Sequence, residues 1–229
     1  MSAPTWDVRH GDCLDLMREM PSASVDAVVT DPPYGINTKS DGMGKLNPWA
    51  DMTNAALWYR EWLREARRIA GPRGFVWSCL NWRSLVTFQK ASCDIGWPIE
   101  SLMVWHKDWI GPGGLKGLRP SYELVALWCG DEAALSNRGL SDVQTFKWSS
   151  QKPTGHPAEK PVSLMRWIIR QSQARSVLDP FAGSGTTGVA ARLEGASFLG
   201  CEVDDVWHAT ATARIAAALD QGDLLTGAA

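Results

Sequence analysis

Asp31-Pro32-Pro33-Tyr34 follows the apolar run "VDAVV" and sets an acid, two prolines and a phenol side by side. Proline lacks an N–H and fixes its own φ, and the residue before a proline is pushed to extended geometry. The carbonyls of Asp31 and Pro32 therefore point in set directions. With the Asp31 carboxylate they form acceptors aimed at one place, and Tyr34 adds a flat face. Two acceptors suit an –NH2 group, and a flat face suits an aromatic ring that carries one. An amine gripped in this way has its lone pair drawn out of conjugation, ready to attack an electrophilic methyl. The plainer reading is a proline-stiffened strand exit with Asp31 as a helix cap.

A second chemical unit lies far along the chain. "SVLDPFAGSGTTGVAARLEGASFLGCEVDD" reads as strand, glycine loop, helix and strand. Gly183, Gly185 and Gly188 fit G-x-G-x-x-G, and Glu202 follows about 20 residues on, the spacing of a carboxylate that grips a ribose. Three readings stand: a tight turn with no ligand, a dinucleotide site, and a nucleoside cofactor such as S-adenosylmethionine. No Lys follows the last glycine, which argues against a phosphate-cradling Walker loop. A dinucleotide fold normally opens with its glycine loop, whereas here most of the sheet must precede it. Asp179 also stands where a pyrophosphate would be repelled and an ammonium or sulfonium welcomed.

The elements that position these units are short apolar runs: Trp6–Arg9, Val25–Thr30, Phe75–Cys79, Ile99–Trp105, Tyr122–Trp128, Ser176–Asp179 and Ser197–Cys201. Several are uniformly apolar, as in a sheet covered on both faces. "AALWYREWLREARRIAGPRG" is a helix, with Trp58, Trp62, Ala66 and Ile69 on one stripe, arginines 60, 64, 67 and 68 on another read as a solvated face, and Gly71-Pro72 as its stop. "TTGVAARLEG" and "DVWHATATARIAAALDQG" are two more helices. Strands alternating with helices predict an α/β fold: a doubly wound, mostly parallel sheet of seven strands in one catalytic domain over residues 1–229.

Composition narrows the class. Of 229 residues, 45% are apolar and 21% charged, a globular balance. The net charge of −2 means that any contact with nucleic acid uses local patches. Five scattered cysteines without a CxxC pair, and no leader segment, point to reduced thiols in a cytoplasm. The four histidines are isolated, so no metal site is expected. No run has the length of a membrane span. Most of the thirteen tryptophans are expected to be core and surface filler, with a minority stacking on bases.

Together these motifs carry a family resemblance. "HGDCLDLM", "VDAVVTDPPYG", "VWHK", "HPAEKP" and "VLDPFAGSGTTGVAA" resemble, in this order and over nearly the whole chain, the amino-methyltransferases that methylate adenine N6 or cytosine N4 of DNA with S-adenosylmethionine. The order is that of the permuted beta group. The resemblance implies that Asp31, Pro32, Pro33 and Tyr34 hold the target base. Phe181, Gly183, Gly185, Thr186 and Thr187 would line the methionine part of the cofactor, with Asp179 near its ammonium and Glu202 on the ribose. Asp12 and Cys13 would lie near its adenine, and Lys160 and Pro161 in a segment that closes over it. The first strand would sit beside the last.

The implied partner is double-stranded DNA with the base flipped out. The loop Asn37–Trp49 is a candidate lid. Residues 108–155 hold a short candidate recognition region, with Lys107, Lys116, Arg119, Arg138 and Lys147 as candidate DNA contacts against an equal reading of plain surface charge. Asp at the first motif position leans to adenine; cytosine N4 is the alternative. An RNA or protein-amide methyltransferase, a dinucleotide oxidoreductase and a non-catalytic DNA-binding module rank lower. A homodimer is a family habit, and the length suits a restriction-modification partner or a solitary or phage enzyme.

Overall fold

A computed structural model describes residues 4–34, 52–111, 117–149, 152–156 and 158–218. The expected lid, Asn37–Trp49, and Lys116 lie outside the described residues. Among the described residues, eight strands form one sheet in the order β1-β8-β7-β2-β3-β5-β4-β6. They are β1 (Trp6–His10), β2 (Ala27–Thr30), β3 (Phe75–Leu80), β4 (Ser101–His106), β5 (Tyr122–Cys129), β6 (Val143–Thr145), β7 (Ser176–Asp179) and β8 (Ser197–Glu202). The seven expected strands are present. The eighth, β6, has three residues and pairs β4 at the sheet's edge, so its apolar content is too small to stand out from the polar stretch around it. Only β5 runs against its neighbours, β3 and β4.

The helices are α1 (Cys13–Glu19), α2 (Met52–Ala70), α3 (Leu85–Asp94), α4 (Val162–Gln171), α5 (Thr186–Leu193) and α6 (Asp205–Ala216). The period-two alternation of strand side chains sorts the core into two layers. Ala27 and Val29 of β2 pack with Leu164, Ile168, Ala190 and Ile215 of α4, α5 and α6. Val28 between them packs with Met17, Trp62, Leu63 and Phe88 of α1, α2 and α3. Each face thus carries helices, which explains why the strands read as continuous apolar runs.

The α2 stripe of Trp62, Ala66 and Ile69 is fully buried. Its arginine stripe is only partly a solvated face. Arg68 donates to the carbonyls of Met17 (2.7 Å) and Met20 (2.7 Å), capping the end of α1, and Arg67 donates to Ile95 (3.2 Å). Helix ends leave carbonyls without intrahelical partners, and a long cationic side chain from the next helix supplies one.

The topology decides what meets at the working edge. β1 lies beside β8, with His10 opposite Glu202, and β2 lies between β7 and β3. The exits of β1, β8, β7, β2 and β3 therefore share one edge, the edge where open α/β sheets bind ligands. Antiparallel β5 begins there, with Tyr122 opposite His106 and Leu124 opposite Leu80.

Candidate active site

Thr30 and Asp179 end neighbouring strands, and the Thr30 hydroxyl donates to the buried Asp179 carboxylate at 2.6 Å. That bond fixes Asp31-Pro32-Pro33-Tyr34 beside the glycine loop. Tyr59, fully buried on α2, donates its hydroxyl to the Pro33 carbonyl at 2.7 Å and holds the turn from below. Burial keeps the Tyr59 phenol protonated, its pKa raised beyond the usual range, so it serves as a donor throughout.

Both oxygens of the Asp31 carboxylate are engaged. Oδ1 accepts from the Tyr34 hydroxyl at 2.5 Å, and Oδ2 accepts from the Lys160 ammonium. The Tyr34 ring is thereby held next to the acid, as the motif's chemistry requires. Burial, with Asp31 and Glu123 nearby, raises the Tyr34 phenol well above its ordinary range, so it stays neutral and donating. Lys160, in the segment expected to close over the cofactor, has a side chain only 7% exposed that turns to Asp31. Beyond it stand Glu123 at 3.5 Å and then Lys107, 2.6 Å from Glu123. Asp31, Lys160, Glu123 and Lys107 form a chain of alternating charge. Charges this far from water persist only when paired. Burial opposes the Lys160 charge, but Asp31 and Glu123 outweigh it and raise its pKa. Burial likewise works against Glu123, and the two lysines overcome it and hold the carboxyl below its ordinary range.

Lys107 is therefore corrected as a DNA contact: its side chain is 12% exposed and its ammonium is committed to Glu123. Arg119 is exposed but donates to the carbonyls of Gly111 (2.7 Å) and Ile110 (3.3 Å), which organises its own loop. Arg138 and Lys147 lie on the surface.

The glycine loop follows from backbone needs. Gly183 and Gly185 hold φ of 51° and 79°, the left-handed region that favours glycine. A Cβ on Gly185 would also sit 2.9 Å from the Cα of Ala211 on α6. Gly188 serves packing instead, since a Cβ there would fall 2.3 Å from Ile215 and 2.7 Å from Phe198. Asp179 accepts from the Phe181 N–H at 3.0 Å and from Thr187 as well as Thr30. Burial nevertheless pushes its carboxyl up to about 6, the behaviour of a buried acid short of a cationic partner. The Glu202 carboxylate accepts from the N–H groups of Gly183 (2.8 Å) and Asp204 (2.9 Å). Asp12 caps α1 by accepting from the Leu14 N–H at 2.8 Å, and Gly11 ties that turn to the Glu202 carbonyl at 3.0 Å. Cys13 is buried beside it, and burial pushes its thiol up beyond reach of ionisation. Phe181 packs against Trp58 and Trp62 of α2, ring centroids 5.2 and 6.0 Å away.

The "HPAEKP" segment is clamped onto this loop by residues that the motif reading passed over. Glu159, its side chain 4% exposed, pairs with Arg214 of α6 at 2.8 Å. Arg214 also donates to the Ser184 carbonyl (3.1 Å) and the Thr186 hydroxyl (3.1 Å). The Thr154 hydroxyl donates to Glu159 at 2.5 Å, and Lys152 donates to its carbonyl at 2.6 Å. His156 lies over Gly183 and meets Trp207 edge-on at 4.4 Å. Pro161, in extended geometry, starts α4. The visible signals for the missed residues were a lone acid in an apolar strand, Glu123 in "YELVALWC", and a lone arginine in an alanine-rich helix, Arg214 in "ATARIAAA".

The arrangement brings an acceptor turn for an aminated base within one sheet position of a glycine loop bracketed by two acids. A family model described as DNA methylase, for N6 and N4 methyltransferases, matches residues 25–213. The chain belongs to this DNA methylase family. A putative methylase, YubD, of Escherichia coli is 30% identical over 218 residues, spanning 93% of this chain and 92% of its own. The DNA adenine methyltransferase YhdJ of Escherichia coli is 29% identical over 231 residues, spanning 85% of this chain and 77% of its own. Among solved structures, the M1.HpyAVI–SAM complex aligns with a TM-score of 0.71 at 21% identity, covering 92% of this chain and 99% of that one. The cytosine-N4-specific PvuII DNA methyltransferase aligns with a TM-score of 0.72 at 16% identity, covering 96% and 95%. At these identities the structural likeness is one of fold. The methylase is thus a DNA amino-methyltransferase whose described residues form an eight-stranded, mostly parallel sheet.

Replacing Arg214 with Met leaves the Glu159 carboxylate buried without its cation. The expected cost is about 3 kcal/mol of unfolding free energy, read from urea unfolding of the purified chain. A change below about 0.5 kcal/mol would show that the clamp does not stabilise the segment.

Proposed function

We propose that this methylase transfers a methyl group from S-adenosylmethionine to the exocyclic amine of a base turned out of duplex DNA, and that the acceptor is N6 of adenine. The observation that carries this reading is the Thr30–Asp179 bond, which seats the Asp31 carboxylate next to the loop whose acids suit a cationic cofactor. The residues present fit that cofactor. Gly183 and Gly185 keep side chains out of the loop, Asp179 lacks a cationic partner among the described residues, and the Glu202 carboxylate ends the next strand. These residues, with Phe181, Thr186, Thr187, Asp12 and Cys13, would hold it, and the "HPAEKP" segment would bound it. When bound, S-adenosylmethionine supplies a methyl group on a sulfonium, electrophilic without further activation.

The chain's own task is then placement and charge, which supply most of the acceleration when little acid–base help is needed. Asp31 accepts from the amine, together with the Pro32 carbonyl, and draws its lone pair out of the ring. Tyr34, locked to Asp31 by its hydroxyl, offers the base a face. The amine sheds its proton late, to solvent. The acid at the first position of Asp31-Pro32-Pro33-Tyr34 and the adenine-named relative YhdJ support N6. The PvuII likeness supports the second reading, cytosine N4.

The face toward DNA is read at the same edge, beyond β4 and β6. Trp109 and Trp148 stack at 4.1 Å, and the Lys152 ammonium lies 4.8 Å from the Trp148 ring centroid. Ile110 and Tyr122 are exposed beside them. Indole faces next to cations suit unstacked bases and phosphate, with Arg119, Arg138 and Lys147 as the remaining basic side chains.

Nucleoside digestion and mass spectrometry of DNA treated with the purified chain and cofactor is expected to give N6-methyladenine, and Asp31→Ala is expected to abolish it while calorimetry shows cofactor binding within about threefold of the parent. N4-methylcytosine alone would overturn the adenine assignment, and an equal collapse of cofactor affinity would overturn the role of Asp31. The pH dependence of cofactor binding follows from Asp179. Below about 6 the acid is protonated and offers no negative charge, so affinity is expected to fall as the pH drops from 7 to 5, with proton release on binding near pH 6. Asp179→Asn is expected to flatten that profile; an unchanged profile would remove Asp179 from the cofactor site.

A further inference from the structure

The Asp31 carboxylate has a problem to solve before it can grip an amine. Oδ1 is taken by Tyr34 and Oδ2 by Lys160. Each oxygen keeps a lone pair for a further donor, but Lys160 is the wrong neighbour for the reaction. Its ammonium cancels the charge that makes Asp31 a strong acceptor. As the new N–C bond forms, the amine nitrogen turns cationic, which a fixed ammonium opposes and a bare carboxylate favours.

The structure holds a second carboxylate for Lys160, which also donates to the Ala158 carbonyl at 3.3 Å. Oε2 of Glu123 lies 3.5 Å from the Lys160 ammonium, and among the described residues it is a buried oxygen with no hydrogen-bond partner. Buried acceptors without a partner are rare and costly. The other oxygen, Oε1, is held by Lys107 at 2.6 Å, so Glu123 is fixed in place while Oε2 makes only the long 3.5 Å ion pair with Lys160. A shift of about 1 Å would bring Lys160 to full hydrogen-bond distance of Oε2. The four groups sum to zero charge, so the exchange adds no net buried charge.

We propose that Glu123 is a positioning residue for methyl transfer: it receives the Lys160 ammonium when the target amine takes that ammonium's place on Asp31. Asp31 then faces the amine as an uncompensated anion, and Glu123 is held between two lysines. Lys107 anchors the receiving carboxylate, which gives its burial a purpose other than DNA contact. The inference rests on the reading of Asp31 as the amine's acceptor.

The test is a double-mutant cycle on methyl transfer to DNA by the full chain, with Glu123→Gln, Lys160→Gln and the double variant. Glu123→Gln is expected to lower kcat about a hundredfold, with cofactor Kd within about threefold of the parent. If Glu123 acts by drawing Lys160 away, removing the ammonium removes the need for it. The double variant is then expected to match Lys160→Gln alone within about threefold. A purely structural Glu123 would cost as much in the Lys160→Gln background as in the parent. That additive result, or a parent-like kcat for Glu123→Gln, would overturn the proposal. Should Glu123→Gln fail to melt cooperatively, Glu123→Asp keeps a charge for Lys107, draws the carboxylate back from Lys160, and completes the same cycle. Absence of transfer by the parent chain would overturn the functional reading itself, whereas an active parent with an additive cycle would overturn this inference alone.

Discussion

Four charged side chains lie together at one edge of the sheet, and they remain charged there only by neutralising one another. Asp31, Lys160, Glu123 and Lys107 come from four separate segments: the exit of β2, the turn before α4, the start of β5 and the exit of β4. Each pairing therefore ties distant parts of the chain to a common point. The antiparallel β5 matters for this reason. Running against its neighbours, it delivers the beginning of a strand, and so Glu123, to the edge where the other strands end. A fully parallel sheet would have placed that acid on the far side.

The side proposed for the cofactor obeys a complementary rule. There the acids are in excess: Asp179 is short of a cationic partner and pushed up to about 6 by burial, and Glu202 is engaged by backbone N–H groups rather than by a cation. A balanced chain beside an unbalanced pair is what the proposed function asks for: a positively charged molecule on one side and a neutral amine on the other. The join of β1 to β8 carries the same site across both ends of the chain, with Gly11 bonded to the Glu202 carbonyl. The Glu159–Arg214 pair then fastens the "HPAEKP" segment over the loop from the α6 side.

Much of this was legible in the sequence, because strands buried on both faces write themselves as apolar runs and the two motifs sit at strand exits. What escaped has physical causes. β6 exists by pairing with β4 rather than by its own three residues. α1 is a seven-residue helix started by the Asp12 cap, too short to show a period. Lys107 and Lys160 looked alike as solvent-seeking or ligand-closing cations, and only the fold reveals which carboxylates they meet. Arg67 and Arg68 read as a polar stripe because sequence gives a side chain's charge but not the carbonyls within its reach. Glu123 was the clearest lost opportunity, since an acid inside an apolar strand must have a buried partner.

The proposed transfer turns on the Asp31 carboxylate passing from an ammonium to an amine. The most direct measurement is a crystal structure of the chain with a cofactor analogue and a DNA duplex that carries one flipped base. It should show the exocyclic nitrogen at about 2.9 Å from Asp31 Oδ2 and the Lys160 ammonium on Glu123 Oε2. A base held with Lys160 still on Asp31, and its amine bonded elsewhere, would contradict it.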